Sequence, residues 1–263
     1  MIIVGHRGLG TDSLGARIKE NTIESFLQAA AVPGVAGVEF DVNLTSDGEL
    51  VLFHDFQVAI SSVEKSVFLS ELPMRSLPDW IPKLSDFVEK FAPTGLGFVC
   101  EVKHPPKNGK LQWPKSREWL AEKVIHQVGK VFETTPWLIF SSFDPDLCME
   151  LSKKLQYRSK NISVVFNCWF GHEDQPEEHD FSDIRNADPL QALLFAQNSC
   201  KGGLAVEVSW LLKNSWFILE AQKMNVLVHT YGAETQQLHV LEILKKWNIS
   251  IVFVDNVDRL IIQ

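Results

Sequence analysis

Short apolar runs alternate with amphipathic stretches along the whole chain. The runs span 2–5, 38–44, 97–102, 137–141, 163–166, 204–208, 226–229 and 251–254, and each is short enough to be a strand. Between most of them, spacing of three and four predicts helices over 24–31, 84–91, 118–132, 145–154, 190–196, 215–223 and 235–247. Strands alternating with helices imply a parallel sheet, and eight near-continuous apolar strands point to a closed (β/α)8 barrel. An open doubly wound sheet is the competing architecture, but no glycine-rich phosphate fingerprint follows the first strand. No linker or repeat interrupts the pattern, so residues 1–263 read as one domain.

One run breaks the alternation. Leu50-Val51-Leu52-Phe53-His54-Asp55 follows the second strand after only Thr45-Ser46-Asp47-Gly48-Glu49, too short for a parallel crossover. Asp47-Gly48 is a hairpin signal, so a small antiparallel excursion is expected here. Counting outward from the turn places His54 opposite Asp41, within a residue.

Composition narrows the class. Of 263 residues 45% are apolar and 22% charged, as in an ordinary soluble protein able to bury a sizeable core. Against 25 Lys and Arg stand 33 Asp and Glu, a net charge of −8 that argues against nucleic acid or an anionic membrane as the main partner. No stretch reaches the length of a membrane span, and the first residues lack the basic start of a signal peptide. Cys100, Cys148, Cys168 and Cys200 are widely spaced and form no metal pattern; reduced, packed thiols and a cytoplasmic location are expected.

The candidate chemistry lies at strand ends, where the mouth of such a barrel forms. The first strand ends in Gly5-His6-Arg7-Gly8. The second carries Glu39 and Asp41, and the third Glu101 and Lys103; each pair is spaced by two and therefore shares a side of its strand. Taken singly these residues have bland readings: a structural Glu39–Lys103 ion pair, a solvated Arg7, a hydrogen-bonded histidine. Taken together, acids converging from neighbouring strands would repel one another without a cation, and hard oxygen ligands suit Mg²⁺, Mn²⁺ or Ca²⁺. His6 and His54 can serve as general acid and base near neutral pH. Arg7 and Lys103 can hold a phosphate-like anion. Metal-assisted phosphodiester cleavage fits this set.

The chain also resembles the glycerophosphodiester phosphodiesterase family, whose members are TIM barrels related to phosphatidylinositol-specific phospholipases C. The matching stretches are Gly5-His6-Arg7-Gly8, 20–26 beginning Glu20-Asn21-Thr22, Val38-Glu39-Phe40-Asp41-Val42, Thr45-Ser46-Asp47-Gly48, Val51-Leu52-Phe53-His54-Asp55, Glu101-Val102-Lys103 and Ser142-Phe143. The resemblance implies that His6 and His54 are the acid–base pair, that Glu39, Asp41 and Glu101 ligate a divalent cation (Mg²⁺, Ca²⁺ or Mn²⁺), and that Arg7 and Lys103 contact phosphate. It implies a small glycerophosphodiester as substrate, attack by the neighbouring glycerol hydroxyl with water completing the hydrolysis, and sn-glycerol 3-phosphate and an alcohol as products. Glu20 and Asn21 read as support, with Asn21 and Glu24 forming a helix cap and capping box.

The second half departs from the common bacterial pattern. His229-Thr230-Tyr231-Gly232 and Phe253-Val254-Asp255-Asn256-Val257 stand in place of the bacterial motifs, and the latter, with the Gly8-to-Glu20 spacing and Glu39-Phe40-Asp41-Val42, more closely resembles the eukaryotic glycerophosphocholine phosphodiesterase branch. His229 reads either as pocket lining or as a packed residue. Trp169 and Phe170 end the fifth strand, ahead of a stretch from Glu173 to Asp188 holding seven acids and one base. They suggest recognition of a quaternary ammonium head group; a solvated acidic loop is the plainer alternative. The rival functions are a lysophospholipase D acting on lysolipids, and a catalytically silent barrel that binds phosphodiesters.

Overall fold

The computed structural model describes residues 1–10, 18–59, 66–105, 115–131, 134–156, 161–171 and 180–260. Its strands are β1 (Ile2–Gly5), β2 (Val35–Leu44), β3 (Leu50–Leu52), β4 (Gln57–Ala59), β5 (Ser66–Phe68), β6 (Gly97–Val102), β7 (Leu138–Ser142), β8 (Ile162–Cys168), β9 (Gly203–Glu207), β10 (Val228–Tyr231) and β11 (Ile251–Val254). Its helices are α1 (Ile23–Ala30), α2 (Leu84–Phe91), α3 (Arg117–Val128), α4 (Pro145–Leu155), α5 (Ile184–Ala187), α6 (Pro189–Ser199), α7 (Val208–Lys213), α8 (Trp216–Lys223) and α9 (Leu238–Lys246). β1, β2 and β6 to β11 form the closed eight-stranded parallel barrel, with β1 hydrogen-bonded to both β2 and β11.

Alternation along each strand builds the site. Residues facing outward, such as Val38, Phe40 and Val42, pack under the helices, where Phe26, Phe40, Phe87 and Phe91 stack with centroids 4.3–6.2 Å apart. Residues facing inward form an apolar plug of Val4, Val99, Ile139, Val165, Ala205, Ile251 and Phe253. Two residues beyond plug members come His6, Glu101, Ser141, Asn167, Glu207 and Asp255. A period of two therefore converts the top of an apolar core into a polar ring.

The excursion is present. β2 outruns the barrel and pairs antiparallel with β3, Val42 opposite Leu52 and Leu44 opposite Leu50. Gly48 takes φ +83° in the turn, where a side chain would be strained. Phe53 N–H donates to Asp41 O at 3.1 Å, so Phe53 faces Asp41 and His54 stands one residue further on.

Several boundaries differ from those expected. The run at 226–229 forms strand only from Val228 and continues to Tyr231: Val226 N–H still bonds Ala221 O at the end of α8, and Leu227 joins the sheet only through its carbonyl, which accepts from Leu204 N–H. The helix expected over 235–247 is a 3₁₀ turn, Ala233–Gln236, followed by α9. The small β4–β5 hairpin and helices α5 and α7 were not expected; each is too short to show a period. Thr22, not Asn21, caps α1: its side chain accepts from Ser25 N–H, and Asn21 is employed elsewhere. All four cysteines are buried and unbonded, and no described helix is long and apolar enough to cross a membrane.

Candidate active site

The ends of β2 and β6 bring Glu39, Asp41 and Glu101 together, with ligand oxygens all within 4.8 Å of one another. Around them opens a cavity of about 620 Å³, whose lining includes His6, Arg7, His54 and Lys103. Every residue expected at the site thus lies at one barrel mouth.

Each carboxylate has a different environment. Asp41 is 1% exposed and held on three sides. Asn21 donates Nδ2 to its Oδ2 at 2.8 Å and accepts from its backbone N–H at 3.0 Å; Lys103 Nζ lies 3.1 Å from Oδ1, and Arg7 Nε 3.4 Å from Oδ2. Burial alone would raise the Asp41 pKa, but the charges of Lys103, His54 and Arg7 and the Asn21 hydrogen bond hold it well below the usual range. Glu101 pairs with Lys103 and accepts from Asn167 Nδ2 at 3.0 Å. Among the described residues Glu39 accepts from Arg7 N–H alone, through Oε2 at 2.8 Å, and its buried Oε1 has no hydrogen-bond partner there. Burial, then repulsion from Asp41, pushes its pKa up to about 8. An unpartnered oxygen aimed into a cluster of acids, beside two others already oriented, is the donor set a hard divalent cation requires. The residues fit such an ion.

The bland alternatives are corrected here. Lys103 pairs with Asp41 and Glu101 rather than with Glu39. Arg7 is not solvated but clasped by Glu20, Nη1 to Oε1 at 3.0 Å. Arg7 takes φ +51°, and its carbonyl accepts from Asn21 N–H at 3.0 Å, with Asn21 itself at φ +54°. Two non-glycine residues in left-handed conformations, facing each other at a site, are backbone strain held in place by the surrounding contacts.

The two imidazoles are each paired with an acid. His6 Nδ1 lies 2.8 Å from Asp255 Oδ1, and its Nε2 3.9 Å from Glu39 Oε2. Burial and Arg7 act to lower the His6 pKa, but the charge and hydrogen bond of Asp255 prevail and hold it above its ordinary value. His54 Nδ1 lies 2.6 Å from Asp55 Oδ1 on the rim, and that bond lowers the Asp55 pKa. Asp255 and Asn167 went unrecognised in the sequence. The one signal for Asp255 was its place two residues beyond Phe253 on an inward-facing register.

His229 is a packed residue. It sits opposite Ala205, 2% exposed, with Nε2 2.7 Å from Gly202 O and Nδ1 unpartnered among the described residues. Burial pushes its pKa down to about 4. Between pH 4 and 6.5 the unfolded chain therefore binds the extra proton, and stability falls as pH drops through that window. Replacing His229 by Gln should flatten the fall by about 2–3 kcal/mol, read as the wild-type minus variant difference in urea stability at pH 7 and pH 4. Equal slopes would show that the ring is solvated.

Phe143, Trp169 and Tyr231 line one wall of the cavity. Trp169 stacks on Tyr231 at 6.2 Å and 26°, Phe143 meets Tyr231 edge-on at 6.2 Å, and Lys103 Nζ lies 5.9 Å from the Phe143 centroid. Phe170, expected beside Trp169, instead packs against Trp210 and Phe217. Of the acidic stretch, Glu173, Asp174, Glu177 and Glu178 lie outside the described residues. Asp183 and Asp188 cap α5 and α6, and Asp180 bonds Ser182. The described part of that stretch is thus tied into local structure.

Fold and mouth together define a (β/α)8 barrel with a carboxylate and imidazole centre suited to phosphate esters. The chain belongs to the glycerophosphoryl diester phosphodiesterase family, whose profile matches residues 6–259. It is 25% identical over 97% of its length to glycerophosphocholine phosphodiesterases of Candida albicans and Homo sapiens, and spans 28% and 43% of those longer proteins. An Arabidopsis thaliana glycerophosphodiester phosphodiesterase is 26% identical over 98% of this chain and 76% of its own. Among solved structures, the Thermotoga maritima glycerophosphodiester phosphodiesterase superposes with a TM-score of 0.65 at 20% identity, covering 98% of this chain and 95% of its own. An Oleispira antarctica phosphodiesterase, solved with the product sn-glycerol-3-phosphate, does so at 0.66 and 19% identity, covering 98% and 94%.

Proposed function

We propose that the chain is one catalytic barrel domain that hydrolyses small glycerophosphodiesters to sn-glycerol 3-phosphate and an alcohol. The observation that supports this most is the convergence of Glu39, Asp41 and Glu101, within 4.8 Å of one another, beside a cavity lined by Glu39, Glu101, His6 and His54. Glu39, Asp41 and Glu101 would hold a divalent cation, Mg²⁺, Ca²⁺ or Mn²⁺, which when bound neutralises charge on the phosphoryl oxygens. Arg7 and Lys103, both lining the cavity, would hold the phosphate by charge. One imidazole, neutral, accepts the proton of the glycerol 2-hydroxyl as its oxygen attacks phosphorus. The other, protonated, donates to the departing alcohol oxygen. Water then opens the cyclic ester with the proton roles reversed. An Nδ1–H donated to Asp255 leaves His6 Nε2 as the reactive nitrogen. Buried, unpaired thiols suit a reducing compartment such as the cytoplasm.

The aromatic wall favours a choline head group, which has no N–H to donate and is recognised by charge and ring faces. A cation over one ring is worth about 0.5–2 kcal/mol, so Trp169→Ala should cost about 2- to 30-fold in kcat/KM on glycerophosphocholine and little on glycerophosphoglycerol. Assays of both substrates, with lysophosphatidylcholine alongside, at low and high salt check this. A uniform loss on every substrate would remove the head-group role, and preference for the lysolipid would favour a lysophospholipase D.

A further inference from the structure

His54 stands on a stretch with no helix or strand of its own, residues 53–56 between β3 and β4. Contacts from two directions hold that stretch, and the chemistry above uses none of them. From within, Asn43 on β2 is 1% exposed and donates Nδ2 to Asp55 O at 3.0 Å and to Phe53 O at 3.4 Å. One carboxamide thus straddles His54, binding the carbonyl on either side of it. Asn43 Oδ1 accepts from Leu44 N–H at 3.1 Å, which fixes the end of the amide that meets the loop. From outside, Trp80 packs on Phe53 with centroids 5.8 Å apart, and Lys19 Nζ lies 4.4 Å from the Trp80 ring centre. Lys19 directly precedes Glu20, the partner of Arg7.

We propose that Asn43 is a positioning residue for His54, with Trp80 as its outer stop. The inference rests on His54 being a proton-transfer group. A buried amide that spends both N–H groups on the two carbonyls flanking one imidazole determines the bend from which that imidazole projects. The same bend sets the place of Asp55, whose Oδ1 lies 2.6 Å from His54 Nδ1. Asn43 is two residues beyond Asp41, but among the described residues its side chain bonds Phe53, Asp55 and Leu44 and not the carboxylate cluster, so its loss acts on the proton rather than on the cation. A displacement of about 1 Å at a catalytic group costs roughly 100-fold in rate, which bounds the effect.

The test compares Asn43→Ala, the milder Asn43→Ser and Trp80→Ala, each alone and combined with His54→Ala, on glycerophosphocholine with saturating Mn²⁺. Asn43→Ala should lower kcat by about 10- to 100-fold and leave KM within about 3-fold, with smaller losses for Asn43→Ser and Trp80→Ala. None should further lower the residual rate of His54→Ala, since the group they position is gone. Mn²⁺ affinity measured by calorimetry should stay within about 2-fold of wild type. Should Asn43→Ala fail to fold, Asn43→Ser and Trp80→Ala make the same comparison. Full kcat in folded Asn43 variants, or an equal loss on the His54→Ala background, would overturn the positioning role. Full turnover by His54→Ala alone would instead overturn the reading of His54 itself, and this inference with it.

Discussion

Glu39→Ala and Glu101→Ala should each lose about 10³-fold or more in turnover while keeping the barrel. The site holds three acids against Lys103 and Arg7, and Glu39 is the member without a cationic side chain in hydrogen-bond contact. A bound divalent cation contributes several kcal/mol to charge developing on phosphate, and each 1.36 kcal/mol is tenfold in rate. The fold is spared because the cluster lies above the apolar plug, not within it. Stability should move in the opposite sense to activity. With the cation chelated, the Glu39 pKa of about 8 lies above its unfolded value, so the stability linked to its proton is lost as pH rises from about 4.5 through 8. Glu39→Gln, which mimics the protonated acid, should therefore melt above wild type in chelator at pH 8 and match it at pH 4. Circular dichroism melts at the two pH values check this; a lower melting temperature at pH 8 would mean that the ionised carboxylate is stabilised by groups not identified here.

His6→Ala and His54→Ala should each lose about 10²- to 10⁴-fold in kcat, the range for general acid–base groups. The profile of kcat/KM against pH should be bell-shaped, one limb from each imidazole, because one must be neutral while the other is protonated. The charge and hydrogen bond of Asp255 hold the His6 pKa above its ordinary value, so Asp255→Asn should move the His6 limb to lower pH. An aryl phosphodiester, whose leaving group needs no proton, should rescue one variant and not the other. That asymmetry assigns the general acid. Asp255→Asn should lower kcat more than it alters KM, since it disturbs the tautomer of His6 without touching the cavity wall. Losses of only a few-fold in both histidine variants would contradict the paired role.

The site was legible because the pattern rule it breaks is simple. Glu39, Asp41 and Glu101 stand where a buried strand should be apolar; a spacing of two put Glu39 and Asp41 on one face of their strand, as it did Glu101 and Lys103 on theirs. His54 was legible through the Asp47-Gly48 turn, since hairpin register follows from counting. What escaped was set by tertiary contact. Asp255 is another acid after an apolar strand until barrel closure brings β11 beside β1 and sets its oxygen on His6. Asn21 looked like a helix cap because asparagine before an amphipathic run usually is one. Only the structure shows its amide turned back onto Asp41 and the cap passed to Thr22. Phe170 and Trp169 are neighbours in sequence, but both lie past the end of β8, where the chain sends one ring to the helices and the other to the cavity.

The most direct measurement is release of sn-glycerol 3-phosphate from glycerophosphocholine by the purified protein, first stripped by chelator and then resupplied with Mg²⁺, Mn²⁺ or Ca²⁺. The site described here predicts no release from stripped protein, restoration by at least one of these cations, and no restoration in Glu39→Ala. Full turnover after stripping, or no release from any glycerophosphodiester with any of the cations, would contradict it.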